Sequence, residues 1–136
     1  MAAIFPSLEW LEGLSEKLNS DAKYGQIARN WEGDICFVLE PSGPLTEELL
    51  YYLDLWHGKC RKTEILKDLS SVQPKFVFTA TYDNASRVMK GELDPMQAMM
   101  TRKLQVHGSM AYIMRNVPVV LDFIRCAREA TTEILS

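Results

Sequence analysis

The 136-residue chain has little of what common catalytic and metal sites require. It contains two histidines and three cysteines, with no CxxC pair. It also has no GxSxG nucleophile motif, no phosphate-binding GxxxxGK[ST] loop and no GxGxxG nucleotide motif. These absences argue against hydrolase, phosphoryl-transfer and dinucleotide-dependent chemistry. We therefore predict a protein that is not an enzyme, without catalytic residues, cofactor or metal ion.

His57-x-x-Cys60 could supply two ligands of a zinc site, although the signal is weak. Zinc accepts nitrogen and sulfur ligands, and either Cys36 or His107 would have to supply a further one. Structural zinc sites usually show paired ligands, whereas these candidates come one from each segment. We interpret them as ordinary buried or surface residues, and the unpaired cysteines as reduced thiols typical of the cytoplasm.

Long apolar runs and blocks of one charge are also missing. No stretch approaches the ~18 apolar residues of a membrane span, and the N-terminus lacks the basic flank of a secretory signal. The 15 basic and 18 acidic residues are interspersed, with a net charge of −3, so no basic face for a phosphate backbone is predicted. We expect a cytoplasmic protein without a nucleic-acid partner.

Length and periodicity predict one mixed α+β domain over residues 1–136. We expect N-terminal helices in residues 1–30, strands in 31–82, and the order helix, strand, helix, helix in 83–136. Residues 45–56 fit either a helical face or a strand. Their aromatic content and the turn-like His57-Gly58-Lys59 favour a hairpin from about Leu50 to Leu66.

Polar residues that can cap helices divide the chain further. The predicted N-caps are Ser7, Asp21, Asp83, Asp94 and Ser109. Each has a short polar side chain that can accept a hydrogen bond from the first helical turn. Asp94 gives the strongest signal, because the proline that follows it suits the first position of a helix.

Six of the seven methionines lie in residues 89–115. Two apolar sets there have the helical spacing i, i+3, i+4, namely Met96, Met99 and Met100, then Met110, Ile113 and Met114. Between them, Leu104 and Val106 alternate with polar residues as in a half-buried strand. The segment is predicted to form helix, strand and helix. Methionine often fills ordinary cores, but its clustering here favours an adaptable apolar lining for a ligand.

Two sequence blocks, KGELDPMQA at residues 90–98 and KLQVHGSM at residues 103–110, resemble the sterol carrier protein type two domain. That family has a Gly-x-(Leu/Met)-x-Pro-x-x-Ala helix start. A Gly-Lys-(Leu/Met)-x-(Val/Ile)-x-Gly-(Asp/Asn)-Met segment follows it. The similarity is close over about residues 76–115 and looser back to Trp31. Arg102 departs from the pattern, because the family usually has glycine at this position.

The resemblance implies a five-stranded, mostly antiparallel sheet covered on one face by about five helices, with an apolar tunnel between them. It also implies non-catalytic binding and transfer of fatty acids, acyl-CoA, sterols or other lipids, with transient membrane contact. Carried over by position, the lining would comprise Phe76, Phe78, Met96, Met99, Met100, Leu104, Val106, Met110, Ile113 and Met114. The last helix, through Phe123, would close the tunnel, and Arg102 and Gln97 are the candidate head-group contacts.

An alternative hypothesis is an accessory or interaction domain that presents isoprenoid or acyl substrates to partner enzymes. Arg102, at a predicted helix-to-strand junction, and the bulky aromatic strand at residues 51–56 motivate it. In that case the domain's own pocket would be small or filled.

Overall fold

The computed structural model describes residues 4–136 and contains seven short or medium strands and six α-helices in that range. In chain order these are β1 (Ile4–Phe5), α1 (Leu8–Ser20), α2 (Ala22–Ile27), β2 (Ile35–Glu40), β3 (Leu49–Trp56), β4 (Lys59–Leu66), β5 (Phe76–Thr81), α3 (Tyr82–Met89), α4 (Pro95–Met100), β6 (Gln105–His107), α5 (Met110–Arg115), α6 (Val117–Glu129) and β7 (Glu133–Ile134). A single 3₁₀ turn, Leu69–Ser71, interrupts the link between β4 and β5.

Side-chain caps begin most of the helices, as the sequence predicts. Ser7, Asp21, Asp94 and Ser109 each accept a hydrogen bond from a backbone N–H of the first turn. The predicted cap at Asp83 is wrong, since Thr81 caps α3 instead. There β5 passes directly into the helix, so the cap falls at the last strand residue and Asp83 lies in the first turn.

Five strands form one sheet in the order β4-β3-β2-β5-β6. The β2–β5 pairing is parallel and the other three are antiparallel, which confirms the expected mostly antiparallel sheet. Residues 49–56 are a strand, and the predicted hairpin turns at His57 and Gly58, where φ is 49° and 79°. Gly58 adopts this conformation without steric cost, whereas His57 is a non-glycine residue in the left-handed region.

The two faces of the sheet differ in what covers them. Phe37, Tyr51 and Leu53 point toward the helices and belong to the main core, which contains most of the large buried side chains. On the opposite face, Cys36 and Leu50 belong to a smaller apolar cluster. The alternation follows from the two-residue period of a strand. Space for a ligand is therefore expected on the helix side.

The segment rich in methionine has the predicted order of helix, strand and helix, formed by α4, β6 and α5. The strand begins at Gln105, so it contains Val106 but not Leu104, the other apolar residue of the predicted alternation. It pairs with β5 at the edge of the sheet. Among residues 4–136, no helix is long and apolar enough to cross a membrane.

A second sheet of two parallel strands joins the two ends of the described chain. Ile4 pairs with Glu133 and Phe5 with Ile134. The sequence predicts no strand in either segment, because two residues are too few to show a periodicity. The pairing places Phe5 against Trp10, with ring centroids 4.8 Å apart, and so helps to close one end of the helix layer.

Candidate functional site

An apolar cavity of about 70 Å³ lies between the inner face of the sheet and helices α3, α4 and α6. We call it the first cavity. The sheet contributes Phe37, Val38, Leu39, Tyr51, Phe78 and Ala80, and the other lining residues are Phe5, Trp10, Asn84, Ala85, Val88, Met89, Leu93, Ala98, Lys103, Leu104, Phe123, Ile124 and Ala127. Nearly all of its lining atoms are apolar. The space therefore favours a hydrophobic occupant.

A second cavity, of about 40 Å³, is lined by Tyr24, Trp31, Ile35, Phe37, Leu55, Phe78, Pro95, Leu104, Val119, Val120, Phe123 and Ile124. Five of these residues also line the first cavity: Phe37, Phe78, Leu104, Phe123 and Ile124. The two cavities are thus neighbours that share one wall.

Three phenylalanine rings form the centre of that wall, and we call them the ring partition. Phe37 stacks on Phe78 with ring centroids 5.3 Å apart and on Phe123 with centroids 5.7 Å apart. Phe37 and Phe78 come from the sheet and Phe123 comes from α6. Because the partition consists of side chains from two layers, a small displacement of α6 would change the separation between the cavities.

The cavities follow the direction of β2 and α6. Along β2, Ile35 lines the second cavity, Phe37 lines both and Leu39 lines the first. Along α6 the same order runs from Val119 through Phe123 to Ala127. At a rise of 1.5 Å per helical residue, the joined space would extend roughly 12 Å along α6. The arrangement is that of one elongated apolar space divided by a partition.

The residues predicted to line the tunnel have three kinds of position. Phe78, Leu104 and Phe123 line both cavities. Phe76, Met99 and Ile113 are buried, and Met96 and Val106 are half-buried against the core, but these five line neither cavity. Met100, Met110 and Met114 are 84%, 42% and 58% exposed and also line neither cavity. Their contact with a lipid stays a prediction.

The exposure of these methionines follows from the length of their helices. Helix α4 has six residues and buries Pro95, Ala98 and Met99, so Met100 lies on the outer side. In α5, which is equally short, the buried residue is Ile113. An i, i+3, i+4 pattern predicts an apolar stripe but cannot show how much of that stripe a six-residue helix buries.

The two candidate head-group residues, Gln97 and Arg102, are exposed and line neither cavity. Arg102 has a φ of 62°, in the left-handed region that favours glycine. This geometry gives a physical reason for the glycine that the resembling family usually has there. A head-group role for either residue stays a prediction.

Three polar residues of the first cavity were missed in the sequence. Asn84 and Lys103 lie together at its rim, where Asn84 Nδ2 donates to the Lys103 carbonyl oxygen at 3.4 Å. Tyr51 is 1% exposed, and burial raises the pKa of its hydroxyl, which is therefore neutral at pH 7. The sequence does contain a signal for Tyr51, because its spacing of two residues from Leu53 and four from Leu55 places it on the same inward face of β3.

The zinc ligands considered in the sequence are not brought together. Within residues 4–136, the group of side chains placed to share a metal ion is Asp21, Asp122 and Cys126. Arg125 already supplies positive charge there, donating to Asp21 Oδ1 at 2.7 Å and to Asp122 Oδ1 at 2.8 Å. Burial raises the pKa of the Cys126 thiol to about 11, so it is not a thiolate at neutral pH. We interpret the group as an ion-pair network between the junction of α1 and α2 and helix α6.

The fold and the cavities define an α+β domain that encloses elongated apolar space between one face of a sheet and its helices. The model of the SCP-2 sterol transfer family matches residues 11–120, and the chain belongs to this family. Membership implies lipid binding or transfer, and domains of this family are generally non-catalytic. No curated protein matches the chain significantly.

Solved structures show the same fold. A crystal structure of sterol carrier protein 2 is 27% identical with a TM-score of 0.79, covering 88% of this chain and 94% of the other. The solution structure of a conserved hypothetical protein from Thermus thermophilus, described as possibly a sterol carrier protein, is 26% identical with a TM-score of 0.81, covering 92% and 88%. A ubiquinone synthesis protein, UbiJ-SCP2, is 13% identical with a TM-score of 0.51, covering 86% and 84%, and shows likeness of fold alone.

Proposed function

We propose that this protein binds a lipid non-catalytically in the apolar space formed by the two cavities, and transfers it between sites in the cytoplasm. The observation that supports this proposal is the shared wall of Phe37, Phe78 and Phe123, which divides one elongated apolar space. Each methylene buried there contributes about 0.8 kcal/mol, so even a short acyl segment offsets a modest cost of moving the rings.

The candidate ligands are fatty acids, acyl-CoA, sterols and other lipids with an apolar body. As they stand, the cavities of about 70 and 40 Å³ are small, so ligand entry must displace the ring partition and join them. Lys103 is exposed at the rim of the first cavity and is suited to an anionic head group left outside. Under this proposal Gln97 and Arg102 would contact the more distant part of a large head group.

Ligand binding can be tested with purified protein and a fluorescent fatty-acid analogue. We expect saturable binding at micromolar concentrations, displacement by unlabelled lipid, and lipid in the organic extract of protein isolated from cells. Transfer is tested separately by the rate at which the protein moves a labelled lipid between two vesicle populations. Absence of both binding and extractable lipid would overturn the proposal.

A matched pair of variants links binding to the first cavity. Ala85 lies in α3 and lines that cavity, whereas Ala111 lies in α5 and is exposed. Ala85→Phe fills part of the cavity and should weaken binding, while Ala111→Phe should leave it unchanged. Equal affinities for both variants would place the ligand elsewhere.

A second candidate function is an accessory domain that presents isoprenoid or acyl substrates to a partner enzyme. The exposed side chains of Met100 and Met114 favour it, because flexible methionines suit adaptable protein contacts. A partner that co-purifies stoichiometrically, and is lost when both methionines are changed to glutamate, would support this function. Retention of the partner by that variant would contradict it.

A further inference from the structure

The Tyr51 hydroxyl is a buried polar group without a hydrogen-bond partner among the described residues. Its side chain lines the first cavity, and Trp10 packs against it with ring centroids 5.9 Å apart. A phenol hydroxyl can donate one hydrogen bond and accept others. Buried groups of this kind are nearly always paired in folded proteins, so an unpaired one at a cavity points to a missing partner.

The other polar side chains near this end of the cavity already have partners. The Trp10 indole N–H donates to Thr131 Oγ1 at 2.7 Å, and Thr131 Oγ1 donates to the Ala127 carbonyl oxygen at 2.7 Å. Tyr82 donates to the Leu135 carbonyl oxygen. Tyr51 is therefore the group left to interact with an occupant of the cavity.

The surroundings of Tyr51 also restrict the chemistry of that occupant. Besides Tyr51 and the paired indole of Trp10, the only polar side chains that the described residues contribute to the lining are Asn84 and Lys103, and Lys103 is exposed at the rim. An ionised carboxylate next to Tyr51 would be buried without a paired positive charge, which is costly. An uncharged oxygen, in a hydroxyl or carbonyl group, can accept the hydrogen bond without that cost.

We infer that Tyr51 is a specificity-determining residue that donates a hydrogen bond to an uncharged oxygen on the buried end of a hydrophobic ligand. The inference rests on the proposed function, since it assigns the ligand class of the same cavity. The Tyr51 hydroxyl distinguishes alcohols and carbonyl compounds from hydrocarbons of equal size. It also orients such ligands, with the oxygen inside and any anionic group toward Lys103.

The test compares 1-decanol and 2-decanone with 1-chlorodecane as displacers of a fluorescent hydrocarbon probe. For each displacer, the affinity of wild type is divided by the affinity of Tyr51→Phe. The hydration of the free displacer is the same in both measurements and cancels in this ratio. We expect the preference for the oxygenated displacers to fall about tenfold in Tyr51→Phe, equivalent to about 1.4 kcal/mol. The affinity for 1-chlorodecane should be unchanged and the melting temperature of the free protein should be equal or higher.

Tyr82→Phe is the matched control, because it removes a hydroxyl that is already paired. It should lower the melting temperature and leave the preference between displacers unchanged. As a second measurement, the Cζ resonance of isotope-labelled Tyr51 should shift more with 1-decanol than with 1-chlorodecane, because only the alcohol accepts the hydrogen bond of the hydroxyl.

The outcomes separate the two proposals. If wild type binds all three displacers and Tyr51→Phe leaves their ratios unchanged, the role of Tyr51 is overturned while lipid binding stands. If wild type binds none of the displacers and no fatty-acid analogue, both proposals are overturned.

Discussion

Phe37 of the sheet stacks on Phe123 of helix α6 at the boundary between the two cavities, with ring centroids 5.7 Å apart and planes inclined by 25°. Phe78, from the neighbouring strand, also stacks on Phe37, with ring centroids 5.3 Å apart. The contact between Phe37 and Phe123 both attaches α6 to the sheet and divides the apolar space. Loss of this contact should therefore lower the stability of the free protein and increase the space available to a ligand.

Removal of the Phe123 ring should destabilise the protein and join the cavities. Phe123→Ala is expected to lower the free energy of unfolding by about 3–5 kcal/mol, the usual loss for a buried phenylalanine. It should also shift the preference among saturated fatty acids toward longer chains, because one continuous space replaces two. Denaturant unfolding and competition binding measure the two effects.

Ile113→Ala is the control for that experiment. Ile113 is fully buried but lines neither cavity. Its replacement should cost about 2–5 kcal/mol without changing the preferred chain length. If both variants changed chain-length preference equally, the partition would not be the feature that limits ligand length.

Neighbouring methionines should respond oppositely to the same substitution. Met100 is 84% exposed, so Met100→Arg should change stability by no more than about 0.5 kcal/mol. Met99 is buried, and Met99→Arg should cost several kcal/mol, on the order expected for an unpaired buried charge. Thermal unfolding checks both. Loss of lipid binding in Met100→Arg would instead show that this residue contacts the ligand.

The methionine segment shows how far sequence patterns reach. Local signals were sufficient to predict the order of helix, strand and helix in this segment, because Asp94 and Ser109 cap the two helices through contacts within one turn. The orientation of each helix toward the cavities depends on packing against distant elements. Ala98, a small residue outside the apolar i, i+3, i+4 set, is the fully buried position that lines the first cavity from α4.

Other features of the site depend on contacts far apart in the sequence. The unpaired state of the Tyr51 hydroxyl is defined by which groups surround it, and none of them adjoins it in the chain. The pairing of β1 with β7 likewise joins residues about 130 positions apart and is too short to leave a periodic signal. The sheet and helix layer were predictable from local patterns and resemblance, whereas the polar details of the cavity were not.

The ion-pair network between the α1–α2 junction and α6 should depend strongly on Arg125. Its guanidinium contacts Asp21, Asp122 and Glu129, and Asp122 is 5% exposed. Arg125→Met leaves the buried Asp122 carboxylate without its close partner. We expect a loss near the lower end of about 3–5 kcal/mol, since Arg125 itself is partly exposed. Denaturant unfolding provides the measurement.

Lys23→Met is the matched control, because Lys23 is exposed and lies 3.8 Å from Asp122. Because Lys23 is solvated and lies near the limit of ion-pair distance, its removal should cost no more than about 1 kcal/mol even though Asp122 is buried. Equal losses for the two variants would mean that the network does not stabilise the helix layer through Arg125.

The same network predicts how stability depends on pH. Hydrogen bonds from Arg125 hold the pKa of the Asp21 carboxyl below its ordinary value, and those from Lys17 and Arg125 lower the pKa of Glu129. A carboxyl with a lowered folded-state pKa contributes stability above its unfolded pKa, and that contribution is lost as pH falls. The melting temperature should therefore decrease as pH falls below about 4. In Arg125→Met the decrease should be shallower, and an identical profile would contradict the assignment.

Gly108, at the junction of β6 and α5, should be far less tolerant of a side chain than Gly91. Both glycines have a positive φ, 135° at Gly108 and 77° at Gly91. A Cβ atom at Gly108 would lie 2.7 Å from the Lys75 carbonyl oxygen and 2.7 Å from the Phe76 ring. A Cβ atom at Gly91 would meet no other atom within 4 Å. Gly91→Ala should cost only the backbone strain, about 1–2 kcal/mol. In Gly108→Ala the new methyl group must also push β6 away from β5, so the free energy of unfolding should fall by more. Amide hydrogen exchange should become faster at Val77 and His107, which are paired between these two strands. Equal losses for the two variants would show that β6 can move away from β5 at this junction without a measurable loss of stability.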